Sequence, residues 1–124
     1  MTIPDMSVSL KQIEKVLGKR QGEEKWWYSI DISKIDDLLR QGILATPVMH
    51  DHGATDNMII ALIRRHPELL ATGVFSTSGV VLNGIHAHGD PIFGRRTIEH
   101  FAELAAKHGD DFQISPGFLY VWFD

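Results

Sequence analysis

The chain of 124 residues contains no cysteine. Disulfide bonds, thiol nucleophiles and thiolate metal sites are therefore excluded together. It also lacks any apolar run near the roughly 18 residues that a membrane-spanning helix needs. The N-terminal MTIPDMSVSL has neither the basic start nor the apolar core of a secretory signal. We therefore expect a soluble cytoplasmic protein with no membrane partner.

Clusters of positive charge are scarce as well. The formal net charge is −4 at neutral pH, and the arginines come at most in pairs, in IRRHPE and GRRTIE. Proteins that bind nucleic acid carry basic patches that contact many phosphates. We therefore expect no nucleic-acid partner.

What the chain does have is the composition of one folded domain, which we place at residues 1–124. Hydrophobic residues make up 44% and charged residues 23%, ordinary shares for a globular protein. Ser9, Ser33 and Thr55 or Asp56 are the predicted N-terminal caps of three helices, because helical periodicity follows each of them. A fourth helix is predicted over residues 96–107. Strand patterns occur in KWWYSIDI, ILATPVM, ATGVF, GVVLNGIHAH and FQISPGFLYVWF. We predict an α+β (or α/β) domain with three to four helices packed on a mixed sheet.

Aromatic residues are concentrated in two of these strands, KWWYSI and FLYVWF. Alternation in the first strand predicts that Trp26, Tyr28, Ile30 and Ile32 share one face. The aromatic side chains could form a binding surface or pack in the core and the sheet. We favour packing, because aromatic side chains contribute most of their free energy by burial.

Histidines are frequent, and four of the seven form two His-x-His pairs, His50/His52 and His86/His88. Residues two apart in a strand share a face, about 6.6–7 Å apart along the chain. Two imidazoles placed in this way can bind one metal ion, and Asp90 could add a carboxylate. Such ligands suit zinc best, with iron or manganese as alternatives. The competing interpretation is that the pair is hydrogen-bonded or lies at the surface.

The stretch HAHGDPIFGRRTIEHF resembles the signature of the JAB/MPN (JAMM) metalloprotease superfamily, including its bacterial toxin-associated branch. That signature is His-x-His, seven further residues, and Ser-x-x-Asp at the start of a helix. The resemblance implies that His86 and His88 are zinc ligands and that Glu99 stands in the position of the aspartate ligand. Arg96 replaces the serine, a departure that is compatible with an inactive member.

In that family an upstream glutamate acts on the metal-bound water. Glu23 and Glu24 lie at a suitable distance upstream, and we take Glu24 as the candidate base. The implied reaction is the hydrolysis of a peptide or isopeptide bond by a water molecule whose pKa the metal lowers.

Two functions are therefore open. The first is a zinc-dependent hydrolase acting on a protein or peptide, or its inactive relative. The alternative is a non-enzymatic acidic binding protein of the immunity or antitoxin type that inhibits a protein partner. A negative surface would suit a basic partner. The sequence does not indicate the oligomeric state.

Overall fold

The computed structural model describes residues 8–88 and 93–124. In these residues the chain forms four helices, a short 3-10 turn and five strands, so the predicted α+β class is confirmed. In chain order the elements are α1 (Leu10–Leu17), β1 (Trp27–Ile30), α2 (Ile32–Arg40), the 3-10 turn (Asp51–Gly53), α3 (Asp56–Arg65), β2 (Leu70–Ser76), β3 (Gly79–His88), α4 (Arg95–His108), β4 (Asp111–Ser115) and β5 (Phe118–Trp122).

The five strands of the described residues form one sheet in the order β1-β2-β3-β5-β4. Every neighbouring pair is antiparallel. The predicted strand ILATPVM contributes isolated bridges instead, one of them a parallel bridge between Leu44 and Val80. The sheet itself is therefore antiparallel, and the parallel pairing that a mixed sheet requires is limited to that bridge.

The helices cover one face of the sheet, which we call the inner face. Their buried side chains meet those of the central strands in one core. The helical part of this core comes from Ile13, Ile35, Leu38, Ile59, Ile63, Phe101 and Ala105, and the central strands add Ile85, Ala87, Leu119 and Val121. Each such side chain stabilises the fold by about 1.5–3 kcal/mol through its burial. None of the helices in residues 8–88 and 93–124 has the length and hydrophobicity required to cross a membrane.

Local capping explains where two of the helices begin. The Thr55 side chain accepts a hydrogen bond from the Met58 N–H and begins α3, as expected. Asp31 caps α2 by accepting from the Lys34 N–H at 2.9 Å. The prediction of Ser33 as this cap was wrong by two residues, because the carboxylate of Asp31 reaches the free amide first.

A bulge in β3 decides which side chains face the core. Gly73 pairs with Leu82 and Thr72 with Gly84, so Asn83 is an extra residue on β3. Strict alternation from Leu82 would have turned His86 towards the helices. The extra residue instead sends His86 to the opposite face, which we call the outer face.

A second irregularity lies in β1, where Ser29 has a positive φ of 59°. Trp27 and Ile30 are both buried in the core, and Tyr28 is 38% exposed. The predicted alternation through Trp26, Tyr28 and Ile30 was therefore wrong. The left-handed backbone at Ser29 breaks the period of two.

Candidate functional site

Seven aromatic and imidazole side chains surround one region of the outer face. They are Trp26, Tyr28, His86, His88, Phe118, Tyr120 and Trp122, and we call them the aromatic cluster. Each ring centroid lies 5.3–6.5 Å from the next, and the contacts close into a loop. These are ordinary separations for interacting aromatic rings. Packing in the core and the sheet was the favoured interpretation of the tryptophans and tyrosines. Trp27 packs in the core, and the others pack against one another on the outer face of the sheet.

Strand register brings the cluster together. His86 pairs with Tyr120 and His88 with Phe118 across β3 and β5. Paired residues of antiparallel strands project from the same face. Gly84, which pairs with Trp122, leaves room for the indole, since a Cβ there would lie 2.5 Å from Trp122 Cε3.

Most of the cluster lines a cavity of about 400 Å³ that opens at the surface. Its lining comprises Tyr28, Ser29, His86, His88, Phe118, Tyr120 and Trp122. A volume in this range suits a small ligand or one large side chain, since ligand sites run from about 300 to 1,000 Å³. The walls are therefore mostly aromatic, with the imidazoles and hydroxyls as polar groups.

His86 is held rigidly in this cavity. Its Nε2 accepts a hydrogen bond from the Ser29 N–H at 3.0 Å, which leaves the proton of the neutral ring on Nδ1. The residue is 6% exposed. Burial, and then the charge of the neighbouring His88, lowers the pKa of His86 to about 4. The imidazole is therefore uncharged at neutral pH.

The predicted metal-site residues are only partly brought together. His86 and His88 share one face as expected, with ring centroids 5.3 Å apart. Glu99 lies on the exposed side of α4, where it accepts a hydrogen bond from Arg95 at 2.8 Å. Asp90 lies outside the described residues. In residues 8–88 and 93–124, no three His, Asp or Glu side chains are grouped so that they could hold a metal ion.

Glu24, the candidate base, lies in the turn that precedes β1. It is exposed and close to Tyr28: a Cβ added at Gly22 would lie 3.2 Å from Glu24 Oε2 and 4.0 Å from the Tyr28 hydroxyl. Burial, and then the charge of Glu24, raises the pKa of Tyr28. Glu24 therefore lies beside one wall of the cavity.

The second His-x-His pair lies elsewhere. His50 Nε2 donates to the Leu82 carbonyl at 2.8 Å, and its ring packs beside Phe123. His52 Nε2 is 3.9 Å from Asp110 Oδ1. Both histidines are therefore engaged in other contacts, and neither lines the cavity with His86 and His88.

A chain of hydrogen-bonded side chains links the end of α3 and the residues after it to α4. Thr97 donates to the Glu68 carboxylate, and its oxygen lies 3.1 Å from His66 Nδ1. His66 Nε2 is in turn 2.8 Å from His100 Nδ1. Burial is the main cause that lowers the pKa of His66. Some thirty positions separate the two halves of this chain, so no local pattern could have revealed it.

Comparisons with family models, curated proteins and solved structures gave no significant match for the chain. The resemblance to JAB/MPN proteases therefore stays a prediction.

Proposed function

We propose that the chain is a non-enzymatic binding protein that holds a protein partner on its outer face. The observation that carries this proposal is the closed loop of aromatic contacts around the 400 Å³ cavity. Aromatic side chains are enriched at protein interfaces and supply much of their binding free energy. All five in the cluster remain at least partly exposed: Trp26, Tyr28, Phe118, Tyr120 and Trp122.

The chemistry of the cavity favours binding over catalysis. Ser29 contributes the aliphatic hydroxyl of the lining, and His86 is the nearest candidate base. A serine nucleophile needs the base nitrogen on its hydroxyl. The Nε2 of His86 accepts the backbone N–H of Ser29 instead, so that nitrogen is already engaged.

Site-specific photo-crosslinking would test the proposal. A photoreactive phenylalanine analogue would replace Tyr28 on the outer face or, as the matched control, Leu39 on α2. Both residues are 38% exposed, so accessibility does not distinguish them. We expect a discrete cross-linked protein from the Tyr28 variant, expressed in the cells from which the chain derives, and none from the Leu39 variant.

The cross-linked protein must then be identified, purified and shown to bind the chain directly. Tyr120→Leu should weaken that binding by about tenfold or more, as expected for an aromatic interface residue. Cross-linking from Leu39 but not from Tyr28 would contradict the proposal, as would unchanged affinity for Tyr120→Leu.

A second candidate function is the metal-dependent hydrolysis of a peptide or isopeptide bond. The contact between the His86 and His88 rings favours it. Zinc, or iron or manganese, would need the nitrogens of both histidines and one further ligand. His86 could offer Nε2 only by giving up the Ser29 amide, which makes the fit incomplete.

Metal content measures this second function directly. Purified protein, dialysed after growth with added zinc, should contain near-stoichiometric metal if the site exists. His86→Ala with His88→Ala should abolish the metal without unfolding the domain. The same double change at His50 and His52, the other His-x-His pair, should leave it bound. Equal metal content in both double variants would exclude the site.

A further inference from the structure

We propose that the cavity of the outer face receives the guanidinium group of an arginine from the protein partner. This inference rests on the proposed function, because it names the chemistry of the group that the aromatic cluster would hold.

The arrangement of the rings suits a cation. Aromatic faces carry negative potential, and a cation within about 6 Å of a ring centroid is attracted to them. The rings of Tyr28, Phe118, Tyr120 and Trp122 line one cavity, so a cation inside it would contact several of them together. Each contact gains strength as water is excluded.

The chain already uses this interaction elsewhere. The guanidinium carbon of Arg20 lies 5.8 Å from the centroid of Trp27 and 5.7 Å from that of Phe75. Those rings lie near β1 and β2, separate from the aromatic cluster. The fold thus holds one arginine between two aromatic rings within its own structure.

Two carboxylates interact with tyrosines that line the cavity. Asp111 Oδ2 accepts a hydrogen bond from the Tyr120 hydroxyl at 3.2 Å. Glu24 is near enough to Tyr28 for its charge to act, after burial, in raising the pKa of that hydroxyl. The two acids approach the cavity from β4 and from the turn before β1, and the chain as a whole carries a net charge of −4. This charge complementarity points to a cationic rather than an acidic or neutral partner group.

Arginine fits better than lysine. Its planar guanidinium stacks on aromatic faces and carries five N–H donors in a fixed fork. The tyrosine hydroxyls, the imidazole nitrogen of His88 and the two carboxylates are all possible acceptors for these donors. A lysine ammonium is more strongly hydrated and cannot stack.

Tryptophan indole N–H signals in an NMR spectrum would test the inference. The probe is a capped peptide of alternating arginine and glycine, and the matched peptides replace arginine with citrulline, lysine or glutamate. Trp26 and Trp122 report on the outer face. Trp27 is the internal control, because it is 2% exposed and its Nε1 donates to the Gly18 carbonyl at 2.8 Å.

We expect the arginine peptide to shift the Trp26 and Trp122 signals and to leave Trp27 unchanged. The citrulline peptide keeps the shape but lacks the charge, so it should bind about tenfold more weakly. Tyr120→Leu should weaken arginine binding, and Tyr120→Phe should restore most of it because the ring is retained.

Two pairs of charge-removing substitutions distinguish the effect of carboxylates near the cavity from the effect of the net charge of the chain. Glu24→Gln with Asp111→Asn should weaken the arginine peptide several-fold. Glu99→Gln with Glu103→Gln makes the same charge change on the exposed side of α4 and should leave binding within about twofold, since exposed charges beyond a Debye length are screened. Equal effects of the two double variants would contradict the inference.

Other outcomes overturn the inference without removing the proposed function. Equal binding of the arginine and citrulline peptides would exclude a role for charge, and equal binding of the lysine peptide would exclude the guanidinium. A partner that cross-links at Tyr28 and keeps its affinity when its arginines are replaced by glutamine would also exclude it. The absence of any indole shift at millimolar arginine peptide would overturn it as well.

Discussion

His86 is buried, accepts a hydrogen bond from the Ser29 N–H and stays neutral at pH 7. The His-x-His spacing correctly predicts that it shares a face with His88, but it does not predict this environment. Protonation of a buried imidazole that has no counter-charge is unfavourable. The free energy of unfolding of the domain should therefore depend on pH.

We predict that His86 makes the domain less stable in mild acid. Its folded pKa of about 4 lies below the unfolded value of about 6.5. The unfolded chain therefore takes up the proton first, so stability is full above about pH 6.5 and falls as the pH drops towards 4. Through this difference in pKa, His86 should lower the free energy of unfolding by about 2 kcal/mol between pH 7 and about pH 5.

His86→Gln is the matched variant, because the glutamine amide can accept the Ser29 N–H but does not titrate. Urea unfolding at pH 7 and at about pH 5 measures how much stability each protein loses in acid. We expect this loss to be about 2 kcal/mol smaller in the variant than in the wild type. Equal losses in the two proteins would mean that His86 titrates normally.

Secondary-structure elements were largely predictable, because they depend on local signals. α1, α3 and α4 follow from apolar periodicity and from end signals such as Thr55 and Gly109, and the β2–β3 hairpin follows from its turn. The bulge at Asn83 and the positive φ of Ser29 were not predictable, since each depends on pairing with a strand far along the chain. Those two irregularities place the aromatic cluster on the outer face.

Gly84 gives a test at the scale of the strand. A methyl group at this position would lie 2.5 Å from Trp122 Cε3 and 2.6 Å from Thr72 Oγ1, so Gly84→Ala must displace the indole. We expect a loss of about 1–3 kcal/mol in the free energy of unfolding, typical of overpacking. The near-UV circular dichroism of the tryptophans should change as well.

Gly94→Ala is the control for this change. Its added methyl would lie 3.8 Å from Thr97 Oγ1, an ordinary contact. The near-UV spectrum should therefore match that of the wild type. A wild-type spectrum for Gly84→Ala would show that Trp122 does not pack over Gly84.

At the scale of the whole molecule, the two faces of the sheet differ in what covers them. In the described residues the helices cover the inner face of the central strands, and only the edge strand β4 leaves large apolar side chains exposed there, Phe112 at 45% and Ile114 at 39%. The outer face instead presents the aromatic cluster, with acidic residues close to two of its members. Composition indicated the overall acidity and the single domain. It could not indicate the openness of one face, because that depends on which side the helices occupy.

Hydrogen exchange of the chain, alone and bound to the partner recovered through Tyr28, tests the central claim most directly. We expect amide protection on binding in residues 26–29, 84–88 and 118–122, with α3 and α4 unchanged. The contrary result would be protection confined to a different pocket, which lies between α3 and α4 and is lined in part by Met58, Arg65 and Lys107. That outcome would place the partner on the helical side and remove the outer face as the binding site.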